Sequence, residues 1–427
     1  MNSRERIRAV LNFEEADKVP SFEMSIDNLK ICEHFNEDYV FQGMSKTYND
    51  TYDLCQGDTE TLTKTILMAT ETKSNIKNTL NKHVSLYKKL GIDLAIIPFT
   101  GFVSFPISCD RTHFTDEYGR VFDVRKNPSD GMDMAYYRGG TFKSFEEFES
   151  FTPLEVNTPR REKYFKTMIK TEKESQGKIS IIPSVWGLFE PAWQVFGFST
   201  FSKLLTDPKK IKVVFDRFGK FLVDLVKSFI EWGETDAIMI LDDYGYKSGL
   251  LMSPKNYRTY VLPWLEESCK VAHKGGLKVI LHSCGDILEL FDDLIGVGID
   301  AFHPFEPTTA NPEYDIFKLN EKYSGKVTFI GKRICIYALS QMERLIFAAQ
   351  ELFYAGVEPN GMRIKRMGCF DIGLNCGGWG KIIFEIKVED RRKFMREMKK
   401  KGVINLTQIT NENIIPYHYG GDYKIDE

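Results

Sequence analysis

The chain has 427 residues, 42% hydrophobic and 27% charged, enough for a large buried core in one big α/β domain or two smaller ones. Its 57 basic and 60 acidic residues leave a net charge of −3, which gives no electrostatic footprint for nucleic acid. No window approaches the roughly 18 apolar residues of a membrane span, and the charged, amphipathic opening MNSRERIRAVLNFEE has no signal-like apolar stretch, so a cytoplasmic protein with reduced cysteines is expected.

Short apolar, β-branched runs recur along the chain. They are KVPSFEM (18–24), DLAIIPF (93–99), ISIIPSV (179–185), AIMILDD (237–243), KVILHSC (278–284), AFHPFE (301–306), KVTFIG (326–331) and CFDIGLNC (369–376). Runs apolar on both faces and followed by loop residues are the pattern of parallel strands covered on both sides. Helical periodicity lies between them. FDRFGKFLVDLVKSFIEWG (215–233) carries an apolar stripe, NYRTYVLPWLEESCKVAHKGG (256–276) holds an internal Pro that should kink it, and VEDRRKFMREMKKKG (388–402) ends in basic residues and Gly. Eight strands alternating with helices predict a single (β/α)8 TIM barrel domain over 1–427. The polar, helix-patterned segment at about 29–90 is read as an insertion or lid. A doubly wound sheet is the alternative, although no Gly-rich phosphate fingerprint follows the first strand.

In such a barrel the active site lies at the strand ends. Glu23 falls on the first strand; Asp242, Asp243 and Tyr244 end the fourth; His282 and Cys284 end the fifth; His303 and Glu306 end the sixth; Asn375 and Cys376 end the last. His282 and Cys284 are two residues apart, so their side chains point to the same side of a strand. Imidazole nitrogen and thiolate suit zinc, whose catalytic sites use three protein ligands and one open position. Cys376, Cys369 and Glu306 are the candidates for the third, and a packed His and thiol is the competing reading. Asp242 and Asp243 would serve equally as helix caps, and Trp186 and Glu190 in VWGLFEPAW fit either a substrate pocket or ordinary core and rim. The remaining cysteines are read as packing, and His34, His83, His113, His273 and His418 as lying on surface or helical faces. No G-x-S-x-G elbow, Walker A loop or EF-hand is present.

With these residues in view, the chain resembles the uroporphyrinogen decarboxylase superfamily over most of its length. The stretches that carry the likeness are RERIRAVLNFEEADKVP, DEYGRVFDV (116–124), GLFEPAWQVFGFSTFSKLLTDP (187–208), DDYGYKSGLLMSPKNYRTYVLPWLEE (242–267) and GGLKVILHSCGD with VGIDAFHPFEP. The last pair is similar to the branch of zinc-dependent, corrinoid-linked methyltransferases. The decarboxylases' arginine-rich N-terminal motif is missing, so no decarboxylase activity is expected. The resemblance implies a TIM barrel with zinc held by His282, Cys284 and a later Cys, best matched by Cys376 with Cys369 as the alternative. It further implies methyl transfer between a small methylated substrate, such as a methoxylated aromatic, and a corrinoid (cobalamin) carried by a separate protein. Asp242, Asp243, Tyr244 and Glu306 would then act catalytically, and Glu23, Trp186, Glu190 and His303 would bind substrate. Transfer from methylcorrinoid to a thiol or tetrahydrofolate is the second expectation, and a non-catalytic barrel binding a corrinoid or tetrapyrrole the third.

Overall fold

A computed structural model describes residues 1–331, apart from 25, 27–28, 38–43, 98–105, 127–132, 153, 157, 306–308 and 310, together with 362–366 and 383–386. The strands in chain order are β1 (Leu94–Ile97), β2 (Pro106–Cys109), β3 (His113–Asp116), β4 (Arg120–Lys126), β5 (Asp133–Gly140), β6 (Ser180–Trp186), β7 (Ala237–Leu241), β8 (Gly245–Tyr246), β9 (Gly249–Leu250), β10 (Lys278–His282), β11 (Ala301–Phe305) and β12 (Thr328–Gly331). Met362–Arg366 and Ile383–Ile386 pair as a further antiparallel hairpin.

β1, β6, β7, β10, β11 and β12 form one parallel sheet in that order, curled into a half-barrel. Spatial order follows chain order with no reversal, which removes the doubly wound alternative. The first expected strand, 18–24, is reduced to a parallel bridge between Phe22 and Leu94. Pro20 has no N–H to give to a ladder, and only one residue of that segment pairs. The expected strand 369–376 and helix 388–402 lie outside the described residues.

Alternation along each strand separates two cores. Leu94, Ile96, Ile182, Met239, Leu241 and Ile280 face the barrel interior, while Ala95, Ile97, Ile181, Ile238, Ile240, Val279 and Leu281 face the helices outside. The interior is closed at one end by the helix Ser3–Leu11, whose Ile7 and Leu11 join the inner cluster. Asn2 and Glu5 form a capping box that starts this helix. Arg4 and Arg8 bind Asp236 at 2.6 Å each, and Arg6 binds Asp93 at 2.9 Å, fastening the helix to the residues that precede β7 and β1.

The outer layer includes Lys73–Leu90, with Ile76, Leu80, Val84 and Tyr87 buried on one stripe, and Pro208–Trp232, which contains the predicted apolar stripe. The Pro-containing helix divides as expected. A π-helical turn, Tyr257–Val261, precedes Leu262–Lys274, and Pro263 takes a place in that helix's first turn, where no N–H is needed.

Within 29–90 the helices are Leu29–His34, Met44–Leu54, Thr59–Glu71 and Lys73–Leu90. The middle two do not stand alone. Tyr48 and Leu62 pack with Cys109 and Val124 of an antiparallel sheet, β2-β3-β4-β5, inserted between β1 and β6. This sheet was not foreseen, although HFTDEYGRVFDV has the alternation and the turn residue of a hairpin, with Gly119 at φ +97°. Among the described residues no helix is long and apolar enough to cross a membrane.

Candidate metal centre at the strand ends

His282 ends β10 on the inner face, in register with Leu241 of β7 and His303 of β11. Its neighbours one and three positions earlier, Leu281 and Val279, belong to the outer core, so parity turns His282 inward. Beyond the strand the chain bends through Ser283, Cys284 and Gly285. Gly285 has φ +80°, and a Cβ there would lie 2.5 Å from the Gly245 carbonyl carbon. Only glycine allows the two backbones to meet, and Asp286 N then donates to Tyr246 O at 2.8 Å. The Ser283 hydroxyl accepts from Tyr244 N at 2.9 Å, tying the same turn to the segment after β7.

This turn places Cys284 Sγ 3.7 Å from His282 Nε2, with Asp243 Oδ1 3.5 Å from the same nitrogen. Asp243 Oδ1 also accepts from Cys284 N at 2.8 Å. The three ligand atoms lie within 4.8 Å of one another, and they are the one such group among the described residues. A tetrahedral zinc with bonds of about 2.3 Å to sulfur and about 2.0 Å to nitrogen spans an edge of about 3.5 Å. The separations fit that edge, and a sulfur, a nitrogen and an oxygen suit a borderline-soft cation.

The two adjacent aspartates divide the work. Asp242 is fully buried and accepts three backbone N–H bonds: from Leu188 at 2.8 Å, Phe189 at 3.0 Å and Glu190 at 2.6 Å. It thereby starts the short helix Phe189–Gln194 from a distant strand. Burial pushes its carboxyl up to about 6 against the pull of those donors. A Cβ on Gly187 would lie 2.4 Å from this carboxylate, so the glycine is the condition for the contact. Asp243 points the other way, into the cluster.

Glu190, in the first turn of that helix, is half-buried. Burial, then the Asp243 and Asp242 carboxylates, push its carboxyl well above the ordinary range. Trp186 ends β6, half-buried, in register with Leu241. His303 is buried on the inner face, its Nδ1 2.8 Å from His282 Nδ1 and its ring edge-on to Phe22 at 4.8 Å. Glu23 is half-buried just past Phe22, with Oε1 accepting from Met24 N.

Tyr244 departs from its expected place. Its ring is fully buried in the outer core beside Tyr257 and Phe189, which takes it out of the mouth. Burial and Asp242 push its phenol well above its usual range, so it keeps its proton. Glu306, Cys369 and Cys376 lie outside the described residues. None of the five described cysteines is in a disulfide.

Two residues that the sequence did not single out stand against Trp186 and Glu190. The Arg120 guanidinium lies 4.3 Å over the Trp186 ring and donates to Gln194 Oε1 at 2.9 Å. Gln194 Nε2 donates in turn to Glu190 Oε1 at 2.7 Å.

Comparison with known proteins matches residues 131–332 to the family model "Uroporphyrinogen decarboxylase (URO-D)". No curated protein matches the chain by sequence. Among solved structures, a methyltransferase from Methanosarcina mazei is similar in fold, with a TM-score of 0.55 and 15% identity over 83% of this chain and 90% of that one. Dispersin B overlaps weakly, at a TM-score of 0.30 and 11% identity over 66% of this chain and 78% of its own. The matched residues hold five of the six parallel strands, β6 to β12, and all three side chains of the cluster. The matched stretch, residues 131–332, is similar to the uroporphyrinogen decarboxylase family, the same family that the motifs along this sequence resemble.

Proposed function

We propose that the protein is a zinc-dependent, corrinoid-linked methyltransferase. In this reading it demethylates a small methylated substrate, a methoxylated aromatic, onto the cobalt of a separate corrinoid protein in the cytoplasm. The observation that carries the reading is the convergence of His282 Nε2, Cys284 Sγ and Asp243 Oδ1 at the ends of β7 and β10, with separations that suit a tetrahedral cation. The fold of the Methanosarcina mazei methyltransferase supports it.

Bound at these residues, zinc would supply Lewis acidity toward the ether oxygen that leaves as the methyl–oxygen bond breaks. The chain's own side chains do the rest. Trp186 offers an aromatic face at the mouth, and Glu190 and Glu23 present half-buried carboxyl groups beside it. We assign these groups, with Asp243 and Glu306, to orienting the substrate and moving the proton that the leaving oxygen takes up. Cys376, with Cys369 as the alternative, is assigned as the third protein ligand with His282 and Cys284, and Asp243 as the oxygen that keeps the fourth position until substrate takes it. The helical segment 29–90 is assigned as an insertion of one barrel domain, its helices Met44–Leu54 and Thr59–Glu71 resting on the sheet that supplies Arg120.

Metal analysis of the wild type, His282→Ala, Cys284→Ser and Cys376→Ser, together with methylation of cob(I)alamin by methoxylated aromatics, tests the proposal. Stoichiometric zinc lost in the variants, with methylcobalamin formed by the wild type, is the expected result. A metal-free preparation with full activity would overturn it. Turnover only from methylcobalamin to a thiol or tetrahydrofolate would reverse the direction of transfer, and corrinoid binding without any turnover would leave a binding barrel.

A further inference from the structure

Two stretches that the sequence marked, DEYGRVFDV and GLFEPAWQ, meet at Arg120. In DEYGR, Asp116 Oδ1 accepts from the backbone N–H groups of Tyr118, Gly119 and Arg120 at 2.8–3.0 Å, while its Oδ2 accepts from Arg120 Nε at 2.7 Å. Both side chains of this ion pair are at most 1% exposed. A buried cation costs several kcal/mol to desolvate, so its geometry here is fixed by more than one partner. The far end of the guanidinium reaches Gln194, in the last turn of the helix that Asp242 starts.

The inserted antiparallel sheet and the residue two past its last strand grip that end of the helix at three points. Besides Arg120, Tyr137 of β5 donates its hydroxyl to Gln194 O at 2.6 Å, and Phe142 N donates to Val195 O at 3.1 Å. Gln194 and Glu190 are four residues apart, on one face of the helix, which lets the amide hold the carboxyl. The Glu190 backbone N–H donates to Asp242 Oδ1 at 2.6 Å, one residue before Asp243, and the Glu190 carboxyl lies near enough to Asp243 to feel its charge. A chain of contacts therefore runs from Arg120 through Gln194 to Glu190, which lies against Asp242 and its neighbour Asp243, an oxygen donor of the cluster.

We propose that Arg120 and Gln194 are positioning residues for the metal centre: through Glu190 they hold Asp243 where its carboxylate faces His282 and Cys284. The antiparallel insert is then part of the support of the metal site. The inference rests on the metal-binding reading of the cluster. Outer partners of ligands typically govern affinity by about 10–100-fold when removed.

The test is zinc affinity of the full chain, measured by competition with a chromophoric chelator in the absence of any substrate. Gln194→Met should weaken zinc binding by about tenfold. In a Glu190→Ala background the same substitution should change affinity by less than about twofold, because the path is already cut. A purely structural role would weaken binding equally in both backgrounds, and that result would overturn the proposal, as would wild-type affinity in Gln194→Met. If Gln194→Met does not fold, Gln194→Ala carries the same pair of measurements. A wild-type chain that binds no zinc overturns both this inference and the proposed function. Zinc binding with a silent Gln194 overturns the inference alone.

Discussion

His282 and His303 stand opposite each other on adjacent parallel strands, with their Nδ1 atoms 2.8 Å apart. Two bare nitrogens cannot both accept, so one of them carries the hydrogen. His282 Nε2 faces Cys284 and Asp243, and a ligating imidazole keeps its proton on the other nitrogen. His282 Nδ1–H therefore donates and His303 Nδ1 accepts, which fixes the tautomer and the ring angle of the ligand. His303→Leu should lower zinc affinity by about 10–100-fold while the protein stays folded. His303→Asn retains an acceptor and should lose less. Chelator competition on both variants checks this order, and equal affinity in all three proteins would sink it.

The Asp242 contact gives a second prediction. Gly187→Ala would force a methyl group to within 2.4 Å of a buried carboxylate that satisfies three backbone donors. The strand end and the helix Phe189–Gln194 must then part, leaving buried N–H groups without partners. The expected cost is about 2 kcal/mol or more, read as a lower denaturant midpoint with an unchanged slope. Gly296→Ala is the control, because a Cβ there meets nothing within 4 Å.

These contacts also mark how far the sequence could be read. KVILHSC announced a strand by its apolar run, and parity alone turned His282 and Cys284 to one side. The order of the parallel strands followed from alternation with helices. The segment 18–24 looked similar, yet Pro20 and its charged neighbours leave it a single bridge at Phe22. In the pair Asp242–Asp243 nothing in the sequence distinguishes the residue that caps a helix from the one that faces the metal site. That distinction depends on Gly187 in another strand connection. Arg120 was out of reach for the same reason, since its partner Gln194 lies 74 residues away. Local patterns carry periodicity and turns, whereas pairings between distant polar side chains are settled only when the chain folds.

At the closed end of the barrel, Asp236 and Asp93 hold the helix Ser3–Leu11 in place. Burial pushes both carboxyls up. Arg4 and Arg8 outweigh it at Asp236, and the Ser21 N–H, the Ser3 hydroxyl, Lys18 and Arg6 outweigh it at Asp93, so both end below the ordinary range. The stability they contribute is present above about pH 4 and lost as pH falls through their lowered native values. Asp236→Asn removes the carboxylate that Arg4 and Arg8 share, leaving Arg4 only the longer contact to Glu172 at 3.7 Å, and should cost about 3 kcal/mol at neutral pH. Melting curves from pH 7 to pH 3 should show the variant less stable at neutral pH and less sensitive to acid. An acid limb as steep as that of the wild type would contradict the assignment.

His83 gives a pH dependence in a different window. It lies on Lys73–Leu90, and its Nε2–H donates to Ile96 O at 2.9 Å, joining the outer helix to the end of β1. Burial pushes the imidazole down to about 4, and the bond to the Ile96 carbonyl only partly opposes this. An unfolded chain takes up that proton near pH 6.5, whereas the folded chain resists it until about pH 4. The stabilisation is therefore complete above about pH 6.5 and is lost as pH falls through the folded value. His83→Gln removes the titration and keeps a side-chain N–H donor. The wild type should lose melting temperature between pH 6.5 and pH 4 faster than this variant, with the two curves parallel above pH 7. Parallel curves over the whole range would place the ring in solvent and refute the half-buried, neutral imidazole.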